Sequence, residues 1–140
     1  FVMKYYLPEL HLDLAKRLLN FANTSIDISD GLFADLDKLI NKQKLSYKVN
    51  MSNIPISKNL KKIIFSKKLN KINLVSKGDD YQILFTASKK KSRIIKRTFK
   101  SLGIKISKIG NISSGAQKSQ IIDEKGNKIA IKNKGHFHSF

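Results

Sequence analysis

At 140 residues, 41% of them hydrophobic, the chain is long enough to bury a real core and too apolar to be a disordered segment. Its formal net charge is +18, from 28 Lys and Arg against 10 Asp and Glu. Only Arg17, Arg93 and Arg97 are arginines and the lysines are spread along the chain, which favours a solvated Lys-rich surface over readout of nucleic acid. The absence of Cys excludes a disulfide framework and a thiolate metal site and fits a reducing, cytoplasmic setting. No run of about 18 apolar residues exists, so no membrane span is expected. The start, Phe1-Val2-Met3-Lys4, has neither an initiator Met nor a signal-peptide core, and the chain reads as a fragment of something longer.

In chain order, Leu10, Leu14, Leu18 and Phe21 recur at helical spacing after Pro8, predicting an amphipathic helix from about Pro8 to Phe21. Ala22–Ser25 reads as a connector. Ile26–Ile28 alternates apolar and polar residues and reads as a strand. Leu32, Phe33, Leu36, Leu39 and Ile40 mark a second helix, from Gly31 to about Asn41. Leu45–Met51 alternates Leu45, Tyr47, Val49 and Met51 against polar residues and predicts a half-buried strand, stopped by Ile54-Pro55-Ile56. Ser57 is placed to cap a helix over Leu60, Ile63, Ile64 and Phe65, with Lys58, Lys61, Lys62, Lys67 and Lys68 on its wet face.

Ile72–Val75 is short and apolar and leads into the turn Ser76-Lys77-Gly78-Asp79-Asp80. Tyr81–Thr86 reads as a buried strand. Ser88 opens a strongly basic helix with an apolar stripe at Ile94, Ile95, Phe99 and Leu102, closed by Gly103. Ile104, Ile106 and Ile109 predict the start of a strand, and Ile112–Ala116 a small-residue loop. Gln120–Ile122 and Lys128–Ile131 flank Asp123-Glu124-Lys125-Gly126-Asn127 as a hairpin. The order of elements gives a mixed α/β (α+β) fold in one domain, a layered sheet with packed helices.

Three polar clusters stand next to these elements. Asp27, Ser29 and Asp30 lie between a strand and a helix. There Asp30 sits where an N-cap belongs, and free N–H groups with the helix dipole suit a phosphate. Two carboxylates at that spacing suit a hard cation such as Mg²⁺, and they equally suit a capped helix with solvated acids. The second cluster is Gly78-Asp79-Asp80-Tyr81; if the two acidic turns converge, they would meet one ligand at strand ends. The third is the tail, Gly135-His136-Phe137-His138-Ser139-Phe140. His11 reads as a structural or surface residue of the first helix, and His136 and His138 lack the further ligands a zinc site requires. No Gly-rich phosphate loop of the Walker or dinucleotide type is present.

Taken together these residues resemble one family. Ile26-Asp27-Ile28-Ser29-Asp30-Gly31-Leu32, continued by Ala34-Asp35-Leu36, resembles the Asp-x-Ser-Asp-Gly-Leu motif of the thiamine-monophosphate kinases. Gly78-Asp79-Asp80-Tyr81-Gln82-Ile83-Leu84-Phe85-Thr86 resembles that family's Gly-Glu-Asp-Tyr-Glu-Leu-Leu-Phe-Thr segment, and the tail resembles its terminal Gly-aromatic-x-His-Phe. The resemblance implies ATP-dependent phosphorylation of thiamine monophosphate to thiamine diphosphate by a two-domain homodimeric enzyme. This chain would be its C-terminal domain, of the kind shared with aminoimidazole ribonucleotide synthetase, with residues 1–22 leading in from an N-terminal domain that carries most other ligands and the dimer interface.

By the same resemblance Asp27 and Asp30 would ligate Mg²⁺, Ser29 would contact ATP, Asp79 would contact thiamine monophosphate, and Phe137 would pack on the substrate's ring. Asp79 is one methylene shorter than the family's Glu, and Lys77 stands where a Gly is usual. Matching Gly135 instead of Phe137 would make His136 the ring-packing residue; Phe137 is preferred. The 140 residues alone are expected to be inactive. The alternatives are another ATP-using synthetase of the same superfamily and a non-catalytic basic module that binds nucleic acid.

Overall fold

A computed structural model describes residues 12–40, 43–77, 82–115 and 117–130. Its α-helices and strands run in the order α1 (Leu12–Leu18), β1 (Ala22–Asp27), α2 (Leu32–Leu39), β2 (Leu45–Asn50), α3 (Lys58–Ser66), α4 (Lys71–Val75), β3 (Ile83–Ala87), α5 (Ser92–Ser101), β4 (Gly110–Ser114), β5 (Gln120–Ile122) and β6 (Lys128–Ile129). The fold is mixed α/β, with two sheets and packed helices.

The larger core is built on a four-stranded sheet ordered β4-β2-β5-β6. β2 runs antiparallel to β4 and parallel to β5. Its alternation holds in part: Tyr47 and Val49 are buried with Leu32, Phe33, Leu36 and Leu39 of α2 and Lys48 is exposed on the opposite face, but Ser46 on that face is buried beside Ser113. Phe33 is fully enclosed, and burial of such a side chain contributes on the order of 2–3 kcal/mol.

The second sheet is a ribbon of β1 and β3, antiparallel, with Asp27 opposite Ile83 and Ile26 opposite Leu84. One face of the ribbon, at Ile26 and Leu84, joins the larger core. The other, at Ala22 and Phe85, joins a smaller core of Leu14 and Leu18 from α1, Phe21 from the turn that follows, and Phe99 from α5. The rings of Phe21, Phe85 and Phe99 lie 5.6–6.3 Å apart, the range of favourable aromatic pairs.

The predicted caps are present. Ser57 Oγ accepts from the Leu60 N–H at 3.2 Å, and Ser88 Oγ accepts from Lys90 N–H at 3.4 Å, there opening a 3₁₀ turn over Lys89–Lys91 ahead of α5. Gly103, at φ +66°, closes α5: its own N–H donates to Lys100 O and the Ile104 N–H donates to Phe99 O, while Ile104 packs in the core that holds Phe99. Asp123 to Asn127 forms the β5–β6 turn, with Gly126 at φ +90°.

Four expectations are corrected. Ala22–Ser25 is strand, not connector: Asn23, Thr24 and Ser25 are exposed, and a ladder needs backbone groups rather than apolar side chains. A register shift between Ala22 and Thr24 also breaks the alternation that would have revealed it. The strand predicted from Tyr81 begins, among the described residues, at Ile83; it is half-buried rather than buried, since it has a single neighbour there and Ile83 is over a third exposed. Residues 104–109 are irregular, with Ile106 exposed. The next strand, Gly110–Ser114, takes in most of the expected loop Ile112–Ala116, because β2 lies alongside as an antiparallel partner. Ser113 faces Ser46, and a Cβ at Gly110 would lie 2.3 Å from the Lys48 carbonyl oxygen.

Candidate functional site

The acidic stretch begins where the ribbon ends. After Asp27 pairs with Ile83, the Ile28 N–H donates to the Gln82 carbonyl at 2.9 Å, and the buried Ile28 anchors the chain in the larger core. The backbone then turns through Ser29, Asp30 and Gly31 into α2. Gly31 adopts φ 124°, ψ 149°, a conformation that side-chain-bearing residues rarely take.

What holds this turn is Asp35. Its carboxylate is wholly buried, and Oδ2 accepts from three successive backbone N–H groups: Ser29 at 2.9 Å, Asp30 at 3.0 Å and Gly31 at 3.2 Å. Oδ1 accepts from Lys38 Nζ at 2.8 Å, and the same ammonium pairs with Asp30 Oδ2. These two carboxylates, Asp30 first, raise the Lys38 pKa above its ordinary value. Charge-assisted bonds of this kind are the strong ones, and a carboxylate so satisfied can stand in a core. On the far side of α2, burial foremost and then Asp37 push the Tyr47 hydroxyl well above the usual phenol range.

This arrangement corrects two sequence expectations. Asp30 is not the N-cap of α2: Gly31 holds that position and no side chain caps it, because Asp35 reaches back from within the helix. The N–H groups of the turn at Ser29, Asp30 and Gly31 donate to Asp35, so they are not a vacant cradle for phosphate. From the sequence alone Asp35 stands only as part of the motif. The signal for its role was present, however: an acid three residues after Leu32 and four before Leu39 lies on the apolar face of the helix.

Of the predicted site residues, Asp27 is exposed, and Ser29 and Asp30 are partly buried, all on one short segment. Asp79 and Phe137 lie outside the described residues, as do His11, His136 and His138. The ribbon register nonetheless joins the acidic turn to the start of β3, at Gln82. Among the described residues no three acids or histidines gather as a metal site. Asp27, Asp30 and the Ser29 hydroxyl are hard oxygen donors of the type Mg²⁺ takes when one or two carboxylates are joined by water and phosphate oxygens. A separate open cleft of about 310 Å³, lined by Lys48, Asn50, Asn53, Lys108, Gly110 and Asn111, lies over β2 and β4 and contains none of these residues.

No family model matches the chain. Among curated proteins it is 36% identical over 145 residues to the thiamine-monophosphate kinase of Buchnera aphidicola subsp. Acyrthosiphon pisum, covering 97% of this chain and 43% of that protein. It is 34% identical over 137 residues to that of Buchnera aphidicola subsp. Schizaphis graminum, covering 98% and 42%. Among solved structures it is similar to AaThiL complexed with AMPPCP and TMP, with TM-score 0.72 and 27% identity over 97% of this chain and 40% of that one. The chain thus spans about two fifths of the length of the relatives it matches.

Proposed function

The chain belongs to the thiamine-monophosphate kinase family, matching the C-terminal part of its members, and from that premise we propose that it forms the C-terminal domain of an enzyme that phosphorylates thiamine monophosphate with ATP. The neighbour solved with AMPPCP and TMP, whose fold is of the aminoimidazole ribonucleotide synthetase type, supports the pairing of an ATP-like nucleotide with this substrate. The observation that carries the reading is the acidic turn itself: Asp27, Ser29 and Asp30 stand on a loop fixed by Asp35 and tied to the residues that open β3.

In this reading Asp27 and Asp30 hold Mg²⁺, Ser29 contacts ATP, Asp79 contacts thiamine monophosphate, and Phe137 packs on its ring. The terminal P–O bond of ATP breaks, an oxygen of the acceptor phosphate forms the new P–O bond, and ADP leaves. Such a transfer needs alignment and charge compensation more than a protein nucleophile. Mg²⁺, when bound, supplies that compensation between the two anions. Asp35 fixes the backbone that carries Asp30, pairing with Ile83 fixes Asp27, and the Lys-rich surface draws in anionic substrates. In this reading the working protein is a cytoplasmic homodimer joined outside this chain. Separately, no described helix is long and apolar enough to cross a membrane.

The test is to incubate the full-length protein with ATP, Mg²⁺ and thiamine monophosphate and follow thiamine diphosphate. Product formation is expected, and its absence under conditions where ATP is bound would point to a different ATP-using enzyme of this fold. Asp30→Asn is expected to lower turnover by on the order of 10²-fold or more with the fold intact. Near-normal turnover at saturating Mg²⁺ would remove Asp30 from the site.

A further inference from the structure

The acidic turn already contains a cation. Lys38 lies one helical turn after Asp35, and its stem runs back toward the N-terminus of α2, as helical side chains do. Its ammonium touches Asp35 Oδ1 at 2.8 Å and Asp30 Oδ2 at once. The two partners differ. Asp35 is fully buried, with its other oxygen committed to three backbone N–H groups, so it cannot turn away. Asp30 is about one fifth exposed and Lys38 half exposed, so their contact faces solvent and can open.

We propose that Lys38 is a resident counter-cation that a divalent ion must displace from Asp30. This rests on the reading above that Asp30 is a metal ligand. Without metal, Lys38 compensates a segment that carries Asp27, Asp30 and Asp35 within nine residues. When a divalent ion engages Asp30, the ammonium stays moored on Asp35 and releases Asp30. The turn exchanges one cation for another, and the exchange lowers the metal affinity of the free protein. Metal arriving alone is therefore held weakly, which leaves occupancy to depend on a nucleotide that brings further oxygen ligands.

The test measures Mn²⁺ binding alone, by the loss of the free-ion magnetic resonance signal, in the full-length protein. Lys38→Met keeps the stem and removes the charge; it is expected to bind Mn²⁺ about three- to fivefold more tightly, the range for releasing a solvent-facing ion pair. Lys38→Arg, which retains the charge, is expected to stay near the parent. In Asp30→Asn the Lys38→Met gain should vanish. Unchanged or weaker Mn²⁺ binding in a folded Lys38→Met protein, with Asp30→Asn still weakening binding, would overturn the proposal and leave the metal reading standing. If Asp30→Asn binds Mn²⁺ as the parent does, the metal reading fails, and this proposal with it.

Discussion

Two turns in this molecule are organised by the same chemical device. At the acidic turn, Asp35 gathers the N–H groups of Ser29, Asp30 and Gly31. At the β5–β6 hairpin, Asp123 gathers those of Lys125 and Asn127, at 2.8 and 2.7 Å, and the side-chain amide of Asn127 at 3.2 Å. The hairpin carboxylate faces solvent, where water can replace each bond. The Asp35 carboxylate has no access to water, and its loss would leave backbone donors unpaired in a partly dry site. Similar bonds therefore have unequal worth, and burial sets the difference. The buried version fixes the backbone between β1 and α2; the exposed one closes a hairpin turn.

The sharpest way to break this comparison is Asp35→Ala, expected to destabilise by roughly 2–4 kcal/mol, from lost charge-assisted bonds and stranded N–H groups. Urea unfolding measures it, and a cost under about 0.5 kcal/mol would mean that the network is not what holds the turn. Asp35→Asn, which keeps an acceptor oxygen, should cost less. Gly31→Ala comes next, at about 1–3 kcal/mol, since alanine is strained at this φ and ψ; thermal unfolding should show a clear drop in midpoint.

Opposite pH dependences then distinguish the two turns. The Lys38 pKa is raised above its ordinary value, so its contribution is complete below its unfolded pKa and fades as pH climbs through the folded value. Lys38→Met should flatten that alkaline loss. Asp123 is held below the usual carboxylate range, chiefly by the Asn127 N–H, so its contribution is present above its unfolded pKa and disappears as pH falls through the lower folded value. Asp123→Asn should thus differ from the parent in melting midpoint near neutrality and converge with it in strong acid. A gap that stays constant across the acid range would show that the carboxylate charge is not involved. This is the smallest of the expected effects.

Much of the fold was legible because local rules and packing agree. Tyr47 and Val49 alternate about the exposed Lys48, and Ser57 opens one helix and Gly103 closes another by mechanisms that depend on few neighbours. What the sequence hid is the work of partners distant along the chain. The polar residues Asn23 to Ser25 form a strand because β3 lies alongside, and Gly110 to Ser114 do so because β2 does, with Gly110 passing too close to the Lys48 carbonyl for a larger residue. At the site, Asp27, Ser29 and Asp30 were found as a motif, but not the acid that shapes them. A helix-face count shows that Asp35 is misplaced among leucines; it does not show which N–H groups turn back to meet it. The tail and the second acidic turn were legible as motifs only.

The ribbon register bears on the order in which the molecule is assembled. The Asp35 contacts close over a few residues and can form as soon as α2 does. The other support of the acidic turn, Asp27 opposite Ile83, must wait until β2, α3 and α4 have been traversed, and closing so long a loop is slow. During synthesis the turn would first take its local shape, with its acids displayed on an unpaired strand, and would gain its second wall only when β3 emerges. Completion of the turn is in that sense a late event in the life of the chain, timed by topology rather than by the motif itself.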